Sequence, residues 1–229
     1  MALAVQHGRY SSAALWQWLV GAILVLLLIA SCWYTYRWYM YGDDLPVEFP
    51  AFVMADPSVD ESEVTATLID SHTVPPLQPR YVSIPTLGVS KTRTFGMGVD
   101  ANNMLQSPAN ISDAAWYSKS DTPGSGGVIL INAHNGGITR NGVFSKLGTL
   151  KSGDIIEVER GDGEVFRYAV RENKSMHLDD VNTEGMKTML QSAEAGKEAL
   201  NLITCDGKWV PRLGQFDHRI MLRAVLVEE

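Results

Sequence analysis

Apolar residues form one unbroken block near the start of the chain and are dispersed in short runs after it. From Leu15 to Tyr36 the sequence reads LWQWLVGAILVLLLIASCWYTY, with no charge. As a helix, this run spans about 33 Å at 1.5 Å per residue, enough to cross a bilayer core. Trp16 and Trp18 sit at one end, and Trp33, Tyr34, Tyr36, Trp38 and Tyr39 at the other, as rings that suit the two headgroup layers. The run predicts one membrane-spanning helix after a short N-terminus, residues 1–14. A cleavable signal peptide competes, but it has a shorter apolar stretch and a small-residue cleavage site. A lipoprotein signal also competes through Ile29-Ala30-Ser31-Cys32, although Trp33 and Tyr34 would then crowd the modified Cys32.

A linker is expected over residues 37–79. From 42 to 79 it holds acids (Asp43, Asp44, Glu48, Asp56, Asp60, Glu61, Glu63, Asp70) and prolines (Pro46, Pro50, Pro57, Pro75, Pro76, Pro79), with no Lys or Arg. Self-repulsion and proline stiffness predict an extended tether. A lid folded over an active site is the alternative.

Residues 80–229 change to the period of strands. Expected strands are 80–84, 89–95, 127–133 (the near-continuous apolar GVILINA), 154–160, 164–171, 199–205 and 219–227. Gly161-Asp162-Gly163 reads as a hairpin turn. Phe166, Tyr168 and Val170 share one face, and Arg167 and Arg171 the other. Ser112 is expected to cap a helical turn through Ala114–Trp116, and Thr183 a helix over 184–193. Many short strands with small inserted helices suggest a closed or partly closed β-barrel.

Composition narrows the function. Of 229 residues, 45% are apolar and 20% charged, which excludes a chain disordered throughout. A net charge of −7 without a basic cluster argues against a nucleic-acid binder. Two cysteines supply neither a disulfide scaffold nor a Cys-rich zinc site. Arg9 and Arg37 flank the apolar run on either side, so charge barely orients it.

With Cys32 in the membrane segment, Cys205 is the single cysteine of the long C-terminal part. It ends Asn201-Leu202-Ile203-Thr204-Cys205 and precedes the turn signal Asp206-Gly207, a suitable place for an exposed nucleophile; a buried structural cysteine is the other reading. A thiol nucleophile needs a base or cation beside it. His134 ends the strand GVILINA and opens the loop Asn135-Gly136-Gly137, so it could be firmly held yet accessible. His177 reads as a solvated surface histidine. His218 shares its face with Ile220, Leu222 and Ala224, whereas Arg219 shares the other with Met221 and Arg223. Arg219 is therefore the candidate for an open groove, where a guanidinium could stabilise an oxyanion.

These residues together resemble a sortase, a membrane-tethered cysteine transpeptidase of the bacterial envelope, over residues 80–229. The Leu-x-Thr-Cys strand end is Leu202-Ile203-Thr204-Cys205, the strand-end histidine is His134, and the motif arginine falls on Arg219, with Arg212 as a rival. Ile84-Pro85, Pro123-Gly124, Gly126-Gly127, Gly142-x-Phe144-x-x-Leu147-x-x-Leu150 and Gly153-Asp154-x-Ile156 follow in the family's order. Ala133 stands where many members have Gly. General features resemble class E/F more than pilin-assembling sortases with a lid.

The resemblance implies an eight-stranded β-barrel, with Cys205, His134 and Arg219 catalytic and Thr204 and Asn135 in contact with substrate. It implies cleavage of a Leu-Pro-x-Thr-Gly-like signal between Thr and Gly through a thioester, and transfer to a cell-wall or pilin amine. No metal or organic cofactor is implied, and the catalytic part is expected outside the cell membrane. Two alternatives stay open: a thiol hydrolase releasing substrate to water, and a tethered barrel that only binds peptides.

Overall fold

The computed structural model describes residues 12–46 and 58–227. Readings on residues 1–11 and 47–57, including Arg9, Glu48, Pro50, Asp56 and Pro57, lie outside the described residues.

Helix α1 covers Ser12–Tyr41, longer than the apolar run alone. Leu24, Leu26, Leu28 and Ile29 all stand exposed along it, so it is apolar all round rather than on one stripe. Gly42, at φ +67°, ends it, and its N–H bonds the Trp38 carbonyl at 2.9 Å. A side chain at Gly42 would run into the Trp209 carbonyl. The helix end meets a later hairpin through Arg212 N–H to the Tyr39 carbonyl (3.2 Å) and Lys208 Nζ to Asp43 (3.3 Å).

Eight strands follow: β1 (Pro79–Ile84), β2 (Val89–Met97), β3 (Ala114–Tyr117), β4 (Val128–Ala133), β5 (Ile155–Arg160), β6 (Val165–His177), β7 (Ala199–Val210) and β8 (Gln215–Leu226). They close into a barrel in the order β1-β2-β3-β4-β7-β8-β6-β5. The β2/β3 and β4/β7 pairs are parallel and the rest antiparallel. Alternate residues fill the interior: Ile129, Ile131 and Ala133 from β4, Leu200 and Leu202 from β7, Ile220, Leu222 and Ala224 from β8, Tyr168 and Val170 from β6. Each buried Leu or Ile contributes about 1.5–3 kcal/mol.

The outer face of β4, β7 and β8 is covered as well. Leu130, Ile203 and Met221 pack there against Val181 and Met189. These come from a helical segment running from Leu178–Asp180 through a π-turn, Val181–Gly185, into Met186–Met189. Burial on both faces explains why β4 reads as a continuous apolar run. Asn201 ties the segment's end to β7, donating to the carbonyls of Met189 (2.8 Å) and Gln191 (3.0 Å).

Three local expectations differ. Ala114–Trp116 form β3 instead of a helical turn, because pairing with β2 and β4 overrides local helix propensity. The expected 184–193 helix starts earlier, with the His177 ring accepting from Asp179 N–H, and Thr183 lies inside it, donating to the carbonyls of Asp179 and Asp180. Residues 58–78 are not a free extended spacer. Thr65 caps a one-turn helix, α2 (Ala66–Asp70), and the Tyr81 hydroxyl bonds the Ile69 carbonyl. His72 packs on Phe95 at 4.8 Å between ring centres, with Nε2 3.0 Å from the Thr94 carbonyl.

Candidate active site

The barrel's register gathers the three residues singled out for chemistry. In the parallel β4/β7 pair Asn132 lies opposite Ile203. Continued past the end of β4, where the Thr204 hydroxyl still meets the Ala133 carbonyl, the same register would set His134 beside Cys205. In the antiparallel β7/β8 pair Cys205 lies opposite Arg219. Alternation puts all three on the outer face, in the rows of Leu130, Ile203 and Met221, just beyond the ground that the helical segment covers. Cys205, His134 and Arg219 are each half-buried, so they are held by neighbours and still reachable.

His134 is fixed from several directions. Its Nε2 lies 2.7 Å from the Pro108 carbonyl, and its own carbonyl accepts from Phe144 N–H at 3.0 Å. Gly142 N–H closes the intervening loop onto the Asn135 carbonyl at 2.9 Å. A Cβ at Gly142 would strike the His134 carbonyl, so this close approach requires glycine. Thr204 is buried, and its hydroxyl donates to the Ala133 carbonyl at 2.8 Å. It therefore stitches β7 to β4 beneath the thiol and the imidazole. Asn135 is half-buried at the start of the loop.

Arg219 is gripped by its own hairpin. Nη1 donates to the carbonyls of Phe216 and His218, both at 2.8 Å, and Nη2 to Gln215 Oε1 at 2.7 Å. Arg212 is exposed at the hairpin tip near the end of α1. A register shift between Asp206 and Trp209 bends β7 just past Cys205. There Asp217 Oδ1 accepts from Lys208 N–H (2.7 Å) and meets His218 Nδ1 (2.8 Å). Burial raises the Asp217 pKa, but these two partners outweigh it and hold the carboxyl below its usual range. His177 is exposed, its ring edge-on to His218.

Sequence reasoning does not single out Pro108, Gln215 or Glu61. Pro108 acts through a backbone carbonyl and leaves no sequence signal. Gln215 meets Arg219 only because the hairpin folds the guanidinium back along its strand. Glu61 is one acid among many in the linker. No group of three or more His, Cys, Asp or Glu side chains among the described residues is placed to hold a metal ion.

Comparison with known proteins gives this arrangement its context. The Sortase domain family model matches residues 82–227. No curated protein matches the chain. Similar solved structures include sortase C of Streptococcus pneumoniae, at 20% identity and TM-score 0.49, covering 82% of this chain and 83% of that one. Sortase C-1 of Actinomyces oris follows at 19% identity and TM-score 0.49, with 71% and 80% covered. A Clostridium perfringens sortase D5 transpeptidase has 18% identity and TM-score 0.46, with 66% and 79% covered.

Proposed function

Because the chain belongs to the sortase family, whose members are cysteine transpeptidases, we propose that it cleaves a Leu-Pro-x-Thr-Gly-like sorting signal between Thr and Gly and passes the acyl part to a cell-wall or pilin amine. The observation that carries the reading is that the strands flanking Cys205 are β4, which ends one residue before His134, and β8, where Arg219 pairs with Cys205.

In this reading the Cys205 thiolate attacks the Thr carbonyl carbon. The carbonyl oxygen becomes negative, and Arg219 donates to it. His134 protonates the Gly nitrogen as the peptide bond breaks, leaving a thioester on Cys205. An incoming amine loses a proton to His134 and attacks the thioester, and the thiolate leaves. Thr204 acts from beneath through Ala133, and Asn135 is positioned to meet the peptide. These steps call on no metal or organic cofactor.

Sortases are envelope proteins, and one apolar N-terminal helix fits an anchor or a signal. We place α1 across the cell membrane, with the barrel outside. Within the family, we infer a class E/F-like member from the general features of the sequence. The test is turnover of a sorting-peptide panel by full-length protein in detergent, with and without an added amine. Cys205→Ala should abolish turnover while the circular dichroism spectrum is unchanged. Undiminished turnover in that variant refutes the reading, and product release independent of amine would make the protein a hydrolase.

A further inference from the structure

We propose that Glu61 is a positioning residue for His134: the strap that carries it clasps the two loops on which the imidazole depends. The inference rests on the reading of His134 as the proton-transfer group.

The first loop carries Pro108. Asp60 N–H donates to the Ala109 carbonyl, and Ile111 N–H to the Asp60 carbonyl, both at 2.9 Å. Asn110 Nδ2 donates to Asp60 Oδ2 (3.2 Å) and to the Ser62 carbonyl (3.0 Å). This loop presents the Pro108 carbonyl that faces His134 Nε2 at 2.7 Å. The second loop continues from His134 itself. The Glu61 carboxylate accepts from the N–H of Ile138, from the N–H of Thr139 at 2.9 Å, and from the Thr139 hydroxyl. Arg140 Nη1 donates back to the Glu61 carbonyl at 2.8 Å. Gly137 leaves the room, since a Cβ there would run into the Glu61 carboxylate.

Asp60 and Glu61 are neighbours on extended chain, so their side chains leave on opposite sides. One grips the loop that meets the imidazole ring, and the other grips the loop that continues its backbone. Neither loop has strand pairing of its own at these positions beyond single bridges, Asp60 to Asn110 and Gly136 to Asn141. Charge-assisted bonds to two consecutive amides and a hydroxyl fix a loop more firmly than neutral ones. The Thr139 hydroxyl above all, with the backbone N–H groups, holds the Glu61 carboxyl below its usual pKa despite some desolvation. The carboxylate is thus ionised at neutral pH.

The test uses full-length protein in detergent, with Glu61→Ala, Glu61→Gln and, as a control, Glu63→Gln at an exposed acid two residues on. Turnover of a sorting peptide gives kcat and KM, hydrogen exchange reads the amides of residues 136–141, and NMR reads the His134 ring titration. Glu61→Ala should lose protection in that loop and lower kcat by about 10- to 100-fold. KM should change by a smaller factor than kcat, because of the residues read as meeting the peptide only Asn135 lies on the clasped loop. Glu61→Gln, which keeps one accepting oxygen, should fall between, and Glu63→Gln should match wild type. Lost protection with unchanged kcat would make the clasp merely structural and overturn the proposal. If wild type itself turns over no peptide, the functional reading fails first. The clasp is then decided by the ring: a His134 titration that is identical in wild type and Glu61→Ala overturns it, and a displaced one supports it.

Discussion

Replacing Glu198 by glutamine separates the barrel's stability from its chemistry. Glu198 opens the path into β7 at 6% exposure and serves three donors: Tyr168 Oη at 2.6 Å, Gly124 N–H at 2.9 Å and Gly126 N–H at 2.6 Å. Tyr168 is fully buried; burial first, and then the bond to Glu198, push its phenol pKa upward, so it stays a donor. Glutamine keeps the shape but turns one accepting oxygen into a donor. At least one of the two glycine N–H groups must then face a donor, at part-buried bonds on exposed glycines. A part-buried donor left unsatisfied costs about 1 kcal/mol, the low end of the buried range, and the remaining bonds lose their charge assistance. A total of about 2 kcal/mol follows, which lowers Tm by about 4–8 °C for a domain of this size. Tyr168→Phe removes one donor and leaves the carboxylate on its two glycines, so it should cost only about 1 kcal/mol. Cys205 stands along β7, which begins just after Glu198, about 23 Å away at the spacing of β-residues. Below the melt, kcat should therefore match wild type. Thermal unfolding by circular dichroism and steady-state turnover on full-length protein give both numbers. A Glu198→Gln melt within about 2 °C of wild type, against the shift worked from the lost bonds, would refute the reasoning. So would a kcat loss as large as that of a site variant.

Three other outcomes follow from the geometry. Gly142→Ala should push the His134 carbonyl and the Asn135 backbone aside and lower kcat by about 100-fold in peptide turnover, with a smaller change in KM; unchanged kcat would mean that the loop relaxes without moving the imidazole. Thr204→Val removes the buried bond to Ala133 and should cost about 1 kcal/mol in denaturant unfolding, with KM unchanged; a large KM increase would instead give the hydroxyl a direct substrate contact. Burial, with Arg93 and Arg80 nearby, holds the His72 pKa below its usual value despite its bond to the Thr94 carbonyl. The neutral ring is favoured in the fold, so its contribution is complete above the unfolded pKa of about 6.5 and is lost as pH falls through the lower folded value. Tm should therefore drop less on acidification in His72→Gln than in wild type, and equal slopes would contradict the assignment.

Much of the barrel is legible in the sequence because strand alternation and strand ends are local facts. Alternation alone assigns Leu202, Thr204 and Cys205 to their faces, and β8 places Arg219 opposite in direction to Ile220, as the same rule requires. Partnership across strands is less visible. Ala114–Trp116 reads as helix in isolation and becomes β3 only between β2 and β4. Thr204 lies beside the nucleophile in sequence, but its side chain faces inward, to a carbonyl of another strand. The linker shows the limit most sharply. Nothing in its run of acids marks Glu61, whose partners lie 77 and 78 residues away at Ile138 and Thr139. His72 likewise gains its aromatic neighbours only when the strap lies down on β1 and β2.

Intact mass spectrometry of the full-length protein, mixed with sorting-signal peptides and quenched in acid, tests the central claim most directly. The account predicts a mass increase equal to the peptide portion ending in Thr, carried by Cys205, absent from Cys205→Ala and discharged by an added amine. A Cys205 that stays unmodified across the panel while reacting readily with a small alkylating agent would contradict it.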